Sequence, residues 1–206
     1  MGYDYGATHE KILQSAKKFF LKKGYQGTNL REICRGADVT NGAFYRHFDS
    51  KEDLFKALVA PCVDGLMEMY DASNEACHKD ITKDSILECI EIDNDSIITL
   101  INYIYDNFES FKLLLLCSGG TSYSNIVEDL VDLEVRRTLG FFHELKELGV
   151  ELEIPGERSI HILSHYYLES IFQCVLHNYR LEDTLEEVTT LVDFFNAGWR
   201  KILGVQ

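Results

Sequence analysis

From Thr8 to the C-terminal residues the apolar side chains recur every three or four positions, and nowhere do they alternate singly over a length that would make a strand. Such a chain has to bury its stripes by packing helix on helix, so the expected fold class is all-α. The first helix is read from Thr8, as N-cap, to Gly24, with Ile12, Leu13, Ala16, Phe19 and Phe20 on one side and Lys11, Lys18 and Lys22 on the other. Thr28 is read as the cap of a short second helix ending near Gly36. Thr40 caps a short third helix over Asn41 to Phe48, and Ser50-x-x-Asp53 forms a capping box that opens a fourth from Lys51 to about Cys77, kinked at Pro61.

Further along, Thr82-Lys83-Asp84 opens a helix striped by Ile86, Ile90, Ile97, Ile101, Ile104 and Phe108. A shorter apolar helix is read over Ser110 to Cys117, and beyond the loop Ser118-Gly119-Gly120-Thr121-Ser122 another runs from Asn125 to Leu148, with apolar residues at 127, 131, 135, 142 and 145 and Gly149 as its stop. Ser159 to Tyr179 is apolar on nearly every face and so must be covered on more than one side. A capping box at Thr184-Leu185-Glu186-Glu187 opens the last helix, striped by Leu185, Val188, Val192, Phe195, Trp199 and Ile202. Either the earlier helices cover these two, or a second copy does so in a four-helix bundle.

Charge divides the chain in the same place as its helix lengths do. Residues 1–60 hold ten Lys or Arg against seven Asp or Glu, a balance of +3, whereas the remainder of the net −14 leaves −17 on residues 61–206. Basic polarity confined to one end is a nucleic-acid cue. The two short helices Thr28–Gly36 and Thr40–Phe48 behind an amphipathic helix match a helix-turn-helix, whose second short helix enters the major groove. Thr40, Asn41, Gly42 and Ala43 are small or polar, which lets the backbone approach base edges; Asn pairs with adenine and Ala touches the thymine methyl. Phe44 and Phe48 anchor the helix to the core. Tyr45, Arg46 and His47 point toward phosphates, with Thr28 and Lys51 adding contacts from two helix N-termini.

Other chemistries find no support in the residue pattern. The six cysteines, 34, 62, 77, 89, 117 and 174, lie at least 12 apart and are read as small buried hydrophobes, not zinc ligands or disulfides. His161 and His165 have the spacing of a metal pair, but Ile162 stands where a zinc protease needs Glu, and Asp93-Asn94-Asp95 lacks the later ligands of a calcium loop. Glycine-rich phosphate loops and nucleophile elbows are absent, so no catalytic residue, metal or cofactor is expected. The longest apolar run, Leu113 to Cys117, has five residues against the roughly 18 of a membrane span. With no basic and apolar leader at Met1 to Gly6, a cytoplasmic location is expected.

The run Ile12-Leu13-x2-Ala16-x2-Phe19-Phe20-x3-Gly24-Tyr25-x2-Thr28, followed by Ile33-x3-Ala37-x-Val39-Thr40-x-Gly42-x-Phe44-Tyr45-x-His47-Phe48-x-Ser50-Lys51-Glu52-x-Leu54, resembles the N-terminal signature of TetR/AcrR transcriptional regulators. One departure is Asp38, where that family usually has Gly; Asp tolerates the left-handed conformation such a turn needs. The resemblance implies a DNA-binding domain over residues 1–50 and an effector-binding and dimerisation domain over 51–206, the helix from Lys51 linking them. It implies a homodimer through the last two helices, with Leu163, Tyr167, Ile171, Val188, Val192, Phe195 and Trp199 as interface candidates. Two recognition helices would then read a palindromic double-stranded operator with half-sites ~34–36 Å or a little more apart. Release by a small, mainly apolar effector follows from the same resemblance. Residues chosen for that effector, as aromatics with a few polar tips on the middle helices, are Tyr103, Tyr105, Phe108, Phe111, Cys117, Tyr123, Phe142, His143, His165, Tyr166 and Phe172. The alternative is a helical dimeric binding protein of the same fold without operator binding.

Overall fold

The computed structural model describes residues 5–79, backbone only at 77–79, and 92–205. Among the described residues there are nine helices and no strand: α1 (Tyr5–Gly27), α2 (Leu30–Gly36), α3 (Asn41–Phe44), α4 (Lys51–Lys79), α5 (Asn94–Asp106), α6 (Phe108–Cys117), α7 (Ile126–Glu147), α8 (Glu157–Leu176) and α9 (Leu181–Leu203). The all-α architecture is the one the stripes require. The helix expected to open at Thr82, with Ile86 and Ile90, lies outside the described residues, as do Cys89 and the side chain of Cys77.

Local chemistry places several boundaries differently from the sequence reading. α1 already begins by Tyr5, so Thr8 sits inside it. Gly24, at φ 71°, interrupts α1, and one further turn carries it to Gly27. Asn29, not Thr28, caps α2: its side chain accepts from the Glu32 amide at 3.0 Å while the Glu32 carboxylate accepts from the Asn29 amide. Thr40 does cap α3, accepting from the Ala43 amide at 3.1 Å. Regular α3 stops at Phe44, and residues to Phe48 continue as a tighter turn in which Arg46 and His47 bond three residues back. α9 starts at Leu181, so Thr184 lies in its first turn; its hydroxyl is 2.6 Å from the Tyr105 hydroxyl, which also donates to the Tyr179 carbonyl.

One compact unit comprises the described residues of 1–65 and 107–126. Here α6 and the loop after it pack with α1, around Ile12, Phe20, Phe44, Phe55, Phe111 and Leu114, all buried. A polar tie joins α4 to that loop: Glu52 accepts from the Ser122 amide at 2.8 Å and its hydroxyl at 2.9 Å, which holds the carboxylate below its usual range. Burial, with Glu52 beside it, pushes the Tyr25 hydroxyl up to about 12. This contact-based division differs from a functional cut at residue 50, because the start of α4 is part of the N-terminal core: Leu54, Phe55 and Val59 are buried.

The second unit comprises the described residues of 66–106 and 127–206. α9 packs on α5 and α8. Asn196 on α9 grips the Ile92 backbone from both sides, its Oδ1 accepting from the amide at 2.8 Å and its Nδ2 donating to the carbonyl at 3.1 Å. Asp93 begins α5 as a cap, its carboxylate accepting from the Ser96 amide at 2.8 Å. That contact occupies the residue that opens the aborted calcium-loop pattern.

Candidate nucleic-acid interface and ligand cavity

The connection between α2 and α3 depends on one residue in the left-handed region. Asp38 takes φ 55°, and the Val39 amide bonds back to the Cys34 carbonyl at 2.9 Å, closing α2 and turning the chain into α3. The buried Ile33, Cys34 and Ala37 on one arm and Phe44 and Phe48 on the other hold the two arms against α1. Ser15 on α1 adds a hydrogen bond to the Ile33 carbonyl at 2.8 Å. The opposite side of α3 is open: Thr40, Asn41, Gly42, Tyr45 and Arg46 are exposed, and Ala43 and His47 are half-buried. Tyr45 keeps 57% of its surface exposed, much for a large apolar ring beside a packed core.

Three candidates are held more tightly than the sequence reading has them. Thr28 is buried; its hydroxyl donates to the Gly24 carbonyl at 2.8 Å, with the Phe19 carbonyl also in reach at 3.1 Å. Lys51 is half-buried, its ammonium donating to the carbonyls of Tyr25 and Thr28, each at 2.8 Å. Burial lowers its pKa from the ordinary lysine value. The His47 ring lies 4.1 Å from Tyr5 and 5.5 Å from His9, and burial, then the neighbouring His9 and Arg46, lowers its pKa. These three brace the surroundings of α3, whose open face carries Asn41, Gly42, Tyr45 and Arg46.

In the second unit a cavity of about 800 Å³ opens between α4, α5, α7, α8 and α9. Its walls are largely apolar, with Ile97, Leu100, Phe141, Phe142, Leu163 and Trp199 among them. One wall is polar. Glu134, Arg137 and Thr138 project from successive turns of α7 toward Tyr70 on α4 and Tyr167 on α8. Burial pushes the Glu134 carboxyl up, against opposing hydrogen bonds from Tyr70 and Thr138 and the Arg137 charge. Burial also raises both phenols, Tyr70 and Tyr167.

Residues 12–58 match the family of bacterial regulatory proteins of the tetR type. That N-terminal segment is similar to the tetR family. Among curated proteins, the transposon Tn10 TetC protein of Escherichia coli is 41% identical over 54 residues, 26% of this chain and 27% of TetC. IcaR of Staphylococcus aureus, a negative transcriptional regulator of a biofilm operon, is 37% identical over 57 residues, 28% of this chain and 31% of IcaR. The chain therefore matches less than a third of the length of these relatives. Solved structures extend the likeness in fold to almost the whole chain. A transcriptional regulator of Aquifex aeolicus VF5 superposes with TM-score 0.58 at 23% identity, covering 91% of this chain and 99% of the other. NalD of Pseudomonas aeruginosa, a repressor of a multidrug efflux pump, superposes with TM-score 0.57 at 20% identity, covering 97% and 98%.

Across the two units the effector candidates scatter. Phe142 alone of them lines the cavity. Phe111 and Cys117 are buried in the N-terminal unit, where Phe108 and Tyr123 also lie. Tyr103 and Tyr105 are half-buried on α5, Phe172 is in the core of α8, and His143 and Tyr166 are exposed. His165 is held on the surface between Glu128, at 3.2 Å, and Glu169, at 3.6 Å. A choice made on aromatic content passes over Glu134, Arg137 and Thr138, although they interrupt the apolar stripe of α7 at one-turn spacing, which is the signal that marks them.

The dimer candidates turn inward. Ile171, Val188, Val192 and Phe195 are buried within the isolated subunit, and Leu163, Tyr167 and Trp199 line its cavity. The apolar side chains that α8 and α9 do expose are Ile162, Tyr166, Phe194 and Ile202, with Phe194 71% exposed.

Proposed function

We propose that the chain is a dimeric DNA-binding transcriptional regulator, a repressor whose hold on a palindromic operator is released by a small molecule in the α4–α9 cavity. The observation that carries the reading is the open face of α3, with Asn41, Gly42, Tyr45 and Arg46 exposed on an element anchored by Phe44 and Phe48. Asn41 and Ala43 read base edges; Tyr45 and Arg46 hold phosphates, helped by His47, Thr40 and, from their structural positions, Thr28 and Lys51. The DNA-binding part is residues 1–50, and residues 51–206 carry effector binding and dimerisation. The subunits pair through the exposed apolar side chains of α8 and α9, since the buried ones have no surface left to offer. IcaR is a negative transcriptional regulator and NalD a repressor, which supports the same direction here. A molecule that binds one arrangement of the dimer better than the other shifts the separation of the two α3 elements and so the DNA affinity. Such a regulator works in the cytoplasm, and no helix among the described residues is long and apolar enough to cross a membrane.

The test is titration of the full chain against labelled duplex DNA at several salt concentrations. Binding that falls as salt rises, and falls further in Tyr45→Ala, supports the reading. No binding at low salt overturns it.

A further inference from the structure

Arg137, on the polar wall of the cavity, carries one donor without a hydrogen-bond partner among the described residues. The Arg137 guanidinium pairs through Nη2 with Asp71 on α4, but its Nη1 is buried without a hydrogen-bond partner. A buried cationic N–H left unpaired is costly, so the site is complete only when an acceptor reaches it. We propose that the cavity takes an uncharged, mostly apolar molecule bearing a carbonyl oxygen, and that Arg137 Nη1 reads that oxygen. The inference rests on the cavity being the effector site.

Charge excludes the two other head groups of similar size. The cavity already holds the carboxyls of Glu134, Asp93 and Asp95, against Arg137, itself matched to Asp71. A ligand carboxylate would add an anion to a cavity that Asp93 and Asp95 also line, for a guanidinium already compensated by Asp71. A ligand ammonium aimed at Glu134 would meet the Arg137 charge next to it, and the Glu134 carboxyl is already engaged by Tyr70 and Thr138. A neutral acceptor satisfies Nη1 and disturbs neither balance. The body of the molecule then lies on Leu100, Phe142, Leu163 and Trp199, a surface wide enough for a long alkyl or fused-ring group.

Trp199 is the single tryptophan of the chain and lines the cavity, so its fluorescence reports occupancy without DNA. The probes are methyl decyl ketone, dodecanoate and dodecylammonium, of matched length and below their aggregation limits. The ketone should give a saturable change and bind at least tenfold more tightly than either ion. Arg137→Met should weaken the ketone about tenfold, the loss expected for one hydrogen bond from a charged donor. Leu163→Phe, which fills the cavity, should abolish its binding. Should Arg137→Met not fold, Asp71→Asn serves, because freeing the guanidinium from its partner should raise dodecanoate affinity at least tenfold. Tighter binding of either ion to the wild type, indifference of the ketone to Arg137→Met or of dodecanoate to Asp71→Asn, or no saturable change with any probe overturns the proposal. Failure to bind DNA would leave these readings unaltered.

Discussion

The Lys51 ammonium stands 2.8 Å from the Tyr25 carbonyl and 4.1 Å from the centre of the Tyr25 ring, and it bonds the Thr28 carbonyl at the same 2.8 Å. The first residue of α4 thereby ties down the connection between α1 and α2. Lys51→Met removes both bonds and should lower the stability of the N-terminal unit by about 2 kcal/mol, the scale of hydrogen bonds to a charged group. Urea unfolding followed by circular dichroism measures it. An unchanged midpoint would mean that the ammonium bears no structural load.

Asp38 holds φ 55° in the turn before α3. Glycine would relieve about 1–2 kcal/mol of left-handed strain but add roughly 1 kcal/mol of unfolded-state entropy, so Asp38→Gly should stabilise by about 0.5 kcal/mol. Asp38→Val should destabilise, since a branched side chain tolerates this region least. The urea midpoints should fall in the order Gly, Asp, Val, and a higher midpoint for Val would refute the backbone argument.

Substitutions on the open face of α3 separate into two kinds. Arg46→Ala should weaken binding to every sequence alike and reduce the salt slope by about 1, as a lost phosphate contact does. Asn41→Ala should change preference at one base pair by about 1–3 kcal/mol while leaving non-specific affinity near the wild type. Parallel titrations on operator and scrambled duplexes distinguish them, and a uniform loss for both variants would remove Asn41 from base reading.

Glu134 has its carboxyl pushed up by burial, so the folded state holds its proton where the unfolded chain has released it. Stability from this group is full below the ordinary carboxylate pKa and is lost as pH rises through the folded value. Glu134→Gln, which stays neutral, should therefore raise the melting temperature most at pH 7 and progressively less below about pH 4.5, the unfolded value. Calorimetry across that range measures it; a gain that grows on acidification would reverse the sign.

Phe194 and Tyr166 are the most exposed large apolar side chains of α9 and α8. If the subunits pair through this face as proposed, the wild type should sediment as a dimer and Phe194→Asp as a monomer, with little loss of secondary structure. Val192→Ala, at a buried position, should cost roughly 1 kcal/mol of stability and leave the mass unchanged. The reverse pattern would return the interface to the inward residues.

What the sequence discloses follows the range of the forces involved. Thr40 as a cap and Phe44 with Phe48 as anchors are written in bonds and contacts spanning a few residues and are legible from the order of residues alone, whereas the left-handed turn at Asp38 is implied by the resemblance, whose family usually has Gly there. Thr28 is harder to read, because a hydroxyl that could cap α2 instead bonds backward to the carbonyl of Gly24. On α8 and α9 apolar residues cover more than one face, and periodicity alone does not say which face meets the same subunit. Val192 therefore reads like Phe194, although one is buried and the other open. The cavity is hard to read for a related reason: aromatic content points to cores and pockets alike, whereas two ionisable residues, Glu134 and Arg137, inside an apolar stripe point to a lined space.

The most direct test of operator reading is selection of the full chain against a random duplex pool at a fixed, stated salt concentration, with sequencing of the bound fraction. The predicted result is enrichment of a palindrome whose half-sites lie about one helical turn or a little more apart, lost on substitution of Asn41 together with Tyr45. A bound fraction indistinguishable from the input pool would contradict it.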